Sequence, residues 1–147
     1  MIRGFNHVGL SVSDLERSVL FYGDLLGLAT VFLGEFGGPH YEQVLGIANA
    51  KGRVAVMELG SLRLELFEFS TPKPRLAEIN RPVSDVGLTH FCIEVSDIDA
   101  IYLRLAQGGV SFHCPPTDFG GAATATYGRD PDGNVFELWE RGPGAAI

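Results

Sequence analysis

Asn6-His7-Val8-Gly9-Leu10-Ser11-Val12-Ser13-Asp14-Leu15-Glu16 returns in altered form as Thr89-His90-Phe91-Cys92-Ile93-Glu94-Val95-Ser96-Asp97-Ile98-Asp99. Each copy reads as a short apolar strand carrying a histidine, then a Ser-Asp helix start, then an amphipathic helix. In the first copy Phe5, His7, Gly9 and Ser11 fall on one side of an alternating strand over 5–12, and Val8, Leu10 and Val12 on the other. Ser13-x-x-Glu16 spells a capping box, which would satisfy free N–H groups at a helix start, and Ser96-x-x-Asp99 stands in the same place in the second copy. One unit used twice would offer one histidine from each copy.

Outward from these stretches, the first helix places Leu15, Val19, Phe21, Tyr22, Leu25 and Leu26 at helical spacing and stops at Gly27. A strand over 28–34 follows, then a long loop over 35–53 with room for one helical turn. A hairpin runs from Val54 to Leu59, turns at Gly60-Ser61, and returns from Leu62 to Phe69. The proline-bearing stretch 71–87 reads as a linker. The pattern then restarts with a strand over 88–95 and a helix whose Ile98, Ile101, Tyr102 and Leu105 share a face, ended by Gly108-Gly109. A strand over 110–114, a Gly/Pro loop, a strand over 124–127, an Asp130-Pro131-Asp132-Gly133 turn and a strand over 135–139 complete it. The expected architecture is α+β: one domain over 1–147, built from two β-α-β-β-β modules at about 5–70 and 88–140.

The chain has 147 residues, 46% of them hydrophobic and 20% charged, which suits a globular domain with a substantial core. A net charge of −7 without a Lys/Arg cluster argues against nucleic acid or an anionic membrane as partner. No apolar run reaches the roughly 18 residues of a membrane span, and no basic-then-apolar leader opens the chain, so a cytoplasmic protein is expected. Two cysteines, Cys92 and Cys114, make no disulfide framework.

Each module carries a His in its first strand and a Glu in its last: His7 with Glu65, and His90 with Glu137. Alternation places all four on the face turned away from the helix. A lone strand histidine is ordinarily a hydrogen-bonded structural residue, and a lone Glu between leucines is ordinarily solvated. Recurrence at parallel positions in both copies favours a metal site instead. Two imidazoles and two carboxylates suit one divalent first-row ion such as Zn, Mn, Fe, Co or Ni.

With Asn6-His7-Val8-Gly9-Leu10-Ser11-Val12, Phe21-Tyr22 before Leu26-Gly27-Leu28, Leu64-Glu65-Leu66, His90 to Val95, and Asp130-Pro131-Asp132-Gly133-Asn134 leading to Phe136-Glu137-Leu138, the chain resembles the vicinal oxygen chelate superfamily. That superfamily includes glyoxalase I, methylmalonyl-CoA epimerase, fosfomycin- and bleomycin-resistance proteins and extradiol dioxygenases. The resemblance covers about residues 5–140. It implies curled mixed sheets around a metal-binding cup, and commonly a homodimer. The ligand set His7, Glu65, His90, Glu137 looks like that of glyoxalase I. Ser11 and Phe69 stand where glyoxalase I usually has the Arg and Asn that hold glutathione, so the resemblance does not imply a glutathione substrate.

The expected activity is that of a metal-dependent lyase or isomerase/epimerase. It would stabilise the enediolate or enolate of a small substrate with adjacent oxygens, with Glu137 or Glu65 as the catalytic base. The alternatives are an Fe(II) extradiol-type dioxygenase and a non-catalytic drug- or metabolite-binding resistance protein. Arg63, Phe67, Trp139 and Cys92 share faces with the ligands and are candidates to line the substrate site. A solvated charge, core packing and a buried apolar thiol are the plain readings of the same residues. His40, Tyr41 and Glu42 are a candidate lid, and His113 has no evident partner.

Overall fold

In the computed structural model, which describes residues 1–144, the chain divides into two compact units, Met1–Leu76 and a second beginning at Ala77. The first unit runs β1 (Val8–Ser11), α1 (Leu15–Leu20), a π-helical turn (Phe21–Leu25), β2 (Ala29–Gly37), α2 (Pro39–Leu45), β3 (Lys51–Leu59) and β4 (Leu62–Thr71). The second runs β5 (Phe91–Glu94), α3 (Ile98–Gln107), β6 (Ser111–Phe112), β7 (Thr117–Asp118), β8 (Ala123–Arg129) and β9 (Val135–Arg141). Each unit holds one mixed sheet: four strands ordered β1-β4-β3-β2, and five with β5-β9-β8-β6 in line and β7 beside β8. The expected α+β class and the expected order of elements are both present.

The first and last strands of each unit pair in parallel, and they do so in the same register. Gly9 lies opposite Glu65 in the first unit, and Cys92 opposite Glu137 in the second. The residue two places after the histidine therefore faces the glutamate in both. Alternation then sorts each last strand. Leu64 and Leu66 are fully buried toward α1 together with Leu15, Tyr22 and Met57. Phe136 and Leu138 are fully buried together with Ile98 and Leu105 of α3. Burial of such apolar faces is the main term holding each helix to its sheet.

Several boundaries differ from the sequence expectations. The first strands are shorter, so His7 and His90 each sit just before the paired segment, and alternation carries their side chains past the end of the ladder. Asp14, not Ser13, caps α1, accepting from the Arg17 N–H at 3.0 Å, while Ser13 Oγ instead takes the Arg17 guanidinium. Glu16 does not close a capping box; it binds Arg53. Asp97, not Ser96, caps α3. The long loop expected over 35–53 is mostly structured, because β2 and β3 keep pairing through Glu35↔Arg53 and Gly37↔Lys51 and the remainder forms α2. The second Gly/Pro loop contains β7, paired to β8. Beyond Thr71, which ends β4, the linker has no helix or strand, and Arg129 donates to the carbonyls of Ile79 (3.1 Å) and Arg81 (2.8 Å), which fastens its later part to the second unit.

A further duplicated device ties each ligand strand to its helix. Glu68, three residues after Glu65, accepts from the Leu15 N–H at the start of α1 (3.3 Å). Glu140, three residues after Glu137, accepts from the Asp97 and Ile98 N–H groups at the start of α3. An odd offset on a strand puts these carboxylates on the helix side, where they complement the free N–H groups and positive end of the helix.

Gly52 sits where β3 crosses β4 closely: a Cβ there would lie 2.0 Å from the Glu68 carbonyl oxygen and 2.9 Å from the Phe36 ring. Gly52→Ala should therefore destabilise the protein by roughly 1–3 kcal/mol, read as a lower urea midpoint, whereas Gly60→Asn in the exposed hairpin turn should change it by less than about 0.5 kcal/mol.

Candidate functional site

Each unit brings its own His and Glu together. His7 Nε2 lies 3.3 Å from Glu65 Oε2, and His90 Nε2 lies 3.1 Å from Glu137 Oε2. In both pairs the other ring nitrogen is tied to the side chain just before it in sequence: His7 Nδ1 meets Asn6 Oδ1 at 2.8 Å, and His90 Nδ1 meets Thr89 Oγ1 at 3.0 Å. Asn6 Oδ1 can only accept, which selects the Nδ1–H tautomer and leaves the His7 Nε2 lone pair free; the Thr89 hydroxyl does the same for His90 when it accepts. Two ligand atoms each about 2.1 Å from an ion and near right angles lie about 3 Å apart, so the spacing within each pair suits neighbouring ligands of one metal. Asn6 and Thr89 were missed in the sequence reading. Their signal was present: both histidines directly follow a polar residue able to accept a hydrogen bond.

The second pair is the more enclosed, with side-chain exposures of 26% and 17% against 39% and 27% for the first. Its surroundings are also more polar. Cys92, Glu137 and Tyr127 lie in register across β5, β9 and β8. The Tyr127 ring centroid is 4.7 Å from that of His90 and 5.9 Å from that of His113, which gives His113 a neighbour the sequence did not reveal. Desolvation raises the Tyr127 phenol above its usual range, helped by Glu137, so it stays protonated and can donate. Desolvation, then the charge and hydrogen bond of Glu137, push the Cys92 thiol up to about 12. Cys92 is exposed, not buried as its apolar reading required, because it stands at a sheet edge beside a carboxylate. His113 is held below its usual range by desolvation and by Arg129. In the first unit the corresponding row is Gly9, Glu65, Val56 and Phe32, with one titratable member.

The other expected site residues fall out differently. Arg63 is bound by Glu58, its cross-strand partner, with Nε at 2.6 Å. Phe67 packs edge-on against Phe36 at 5.3 Å. Trp139 shares the Glu137 face and has the Arg141 guanidinium 5.4 Å from its ring. His40, Tyr41 and Glu42 lie on α2, and Tyr41 touches Phe36.

Among the described residues, a group of three acidic side chains of the first unit draws together: Asp14, Glu16 and Glu68. Its oxygens are already committed. Arg53 binds both Glu68 (Nε at 2.6 Å) and Glu16 (Nη2 at 2.8 Å), and helix N–H groups take Asp14 and Glu68. A groove of about 400 Å³ opens beside it, lined by Leu15, Val19, Leu20 and Leu33, and holds none of the expected site residues. The hydrogen bond from Arg53 keeps the Glu16 carboxyl below its usual range. The contribution of this pair is therefore present at neutral pH and is lost as pH falls through that lowered value. In Arg53→Gln the Glu16 carboxyl should titrate at higher pH than in the parent protein, as read by carbon-detected NMR. No movement would show that the pair does not persist in solution.

The chain matches the family model described as "Glyoxalase/Bleomycin resistance protein/Dioxygenase superfamily" over residues 4–138. It is 38% identical over 111 residues to a 2-epi-5-epi-valiolone epimerase of Actinomyces sp, covering 71% of this chain and 59% of that protein. It is 26% identical over 143 residues to a lactoylglutathione lyase of Arabidopsis thaliana, covering 96% of this chain and 45% of that one. The chain thus spans only about half the length of these curated relatives. A crystal structure of a glyoxalase family protein from Bacillus cereus superposes with a TM-score of 0.88 at 23% identity, covering 96% of this chain and 95% of the other, and shares its fold.

Proposed function

The chain belongs to the glyoxalase/bleomycin resistance protein/dioxygenase superfamily, and on that footing we propose that it is a metal-dependent isomerase/epimerase or lyase acting on a small substrate with adjacent oxygens. His7, Glu65, His90 and Glu137 would hold one divalent ion, and the working form would be a homodimer. The observation that carries the reading is the duplicated His–Glu pair with each Nδ1 tied back to its neighbour. Similarity to an epimerase and to a lyase supports the reaction class.

A bound divalent ion would supply Lewis-acid stabilisation of the charge that builds on two adjacent substrate oxygens as a proton leaves. Glu137 is the preferred base. It is the more enclosed of the two carboxylates and lies between Cys92 and Tyr127 across the sheet. The Cys92 thiol, protonated at working pH, donates to Glu137 and steadies its carboxylate. The Tyr127 phenol, whose ring lies 4.7 Å from that of His90, would donate to a substrate oxygen. Glu65 is the alternative base.

Metal analysis of the purified protein should give about one ion per chain, as a four-ligand site of two His and two carboxylates requires. His7→Gln and His90→Gln should each abolish it; a variant that still holds a full equivalent counters the shared-ion reading. Asn6→Ala and Thr89→Ala should weaken metal affinity by about 10–100-fold, the usual cost of losing a partner that orients a ligand. Glu137→Gln should keep the fold by circular dichroism and lose exchange of substrate C–H for solvent deuterium, whereas oxygen uptake with catechols under Fe(II) would assign an oxygenase instead.

A further inference from the structure

We infer that the substrate of this site carries an apolar ring next to its chelating oxygens, seated on an aromatic floor beside Glu65 and covered by Tyr41; the inference rests on the metal reading above. Phe67 and Phe69 follow Glu65 at two-residue steps, so all three share one face of β4, each about 7 Å from the next. Phe36 packs edge-on to Phe67 at 5.3 Å and to Phe69 at 5.1 Å. Phe67 and Phe69 lie nearly parallel to each other, at 6.1 Å and 29°. Phe36 is 4% exposed and forms the base, while Phe67 and Phe69 are only half-buried and present ring surface outward. On β3, the residues in register with Glu65 and Phe67 are Val56 and Val54.

Polar groups on this face are few: Ser11 of β1 lies in register with Phe67. Arg63, the cation of β4 on the Glu65 side, is bound by Glu58. A polyhydroxylated or carboxylated substituent would leave its groups unpaired here, at the cost that desolvated polar groups carry. A ring would bury apolar area and gain edge or offset contacts with three aromatic side chains.

Tyr41 gives the floor a cover. It lies on α2, a seven-residue helix between Gly38 and Gly46, both at positive φ (88° and 67°), with no residue buried. Its ring meets Phe36 at 5.3 Å and 46° and is itself 39% exposed. A helix held so lightly, with backbone freedom at both ends, can shift Tyr41 over a bound ring at little cost.

The test uses two chelators that bind metals through oxygens on neighbouring atoms and differ only in a phenyl against a methyl group: benzohydroxamate and acetohydroxamate. Cobalt-loaded protein is titrated with each by calorimetry, and each affinity is divided by that for aqueous cobalt. The phenyl compound should then bind at least about tenfold more tightly, a 1.4 kcal/mol difference. Phe67→Leu and Tyr41→Ala, the second on an exposed helix and so safe for the fold, should each cut that ratio at least threefold with cobalt content unchanged. Equal binding of the two chelators, or a ratio unmoved in both variants, overturns the inference and leaves the metal site standing. Failure of the parent protein to hold cobalt at all removes the metal reading, and the ring inference with it.

Discussion

Parallel pairing between the first and last strand of each unit is the constraint on which the rest depends. It sets a histidine beside a glutamate from a distant part of the chain, and does so twice in one register, Gly9 with Glu65 and Cys92 with Glu137. Because side chains alternate, the same pairing that exposes His and Glu on one face turns Leu64, Leu66, Phe136 and Leu138 into the two cores. Core and site are opposite faces of one ladder. The leucines and the phenylalanine that stabilise it also hold each His–Glu pair at 3.1–3.3 Å.

The repeat itself was readable in the sequence, since alternation with period two and helical spacing are strong local signals, and the hairpin at Gly60-Ser61 and the turn at Asp130 announced themselves by composition. What was not readable depended on distant partners. Ser13 and Asp14 are both good caps, and the choice between them was made by Arg17 taking the serine hydroxyl. The segment 35–53 looked loose because its glycines carry no strand signal. Yet Gly52 is required for β3 and β4 to approach, and β2 is held by its partner rather than by propensity. Glu68 and Glu140 serve helix ends that are distant in sequence, which the strand pattern alone does not show.

The candidate ligands were legible because their residue types are unusual in an apolar strand and because they recur. Their supports were harder to see. Asn6 and Thr89 act on the histidines through Nδ1, which a sequence shows only as an adjacent letter. Tyr127 meets His90, and His113 meets Tyr127, across strands whose register could not be counted from the chain. The two units have the same skeleton with different furnishings. The first sets aromatic rings beside its pair, and the second sets a thiol, a phenol and a further imidazole.

The placement of two glutamates on opposite faces of a single strand makes mispairing an all-or-nothing fault. If β4 slid by one residue against β1, Glu65 would turn under α1 among the leucines, and Glu68 would leave the helix end it caps. Such a chain would bury a charge and expose its apolar row at once, so no half-correct form could persist that kept the core while misplacing the histidine's partner. Fidelity of assembly and integrity of the candidate site are, in this architecture, proofread by the same error.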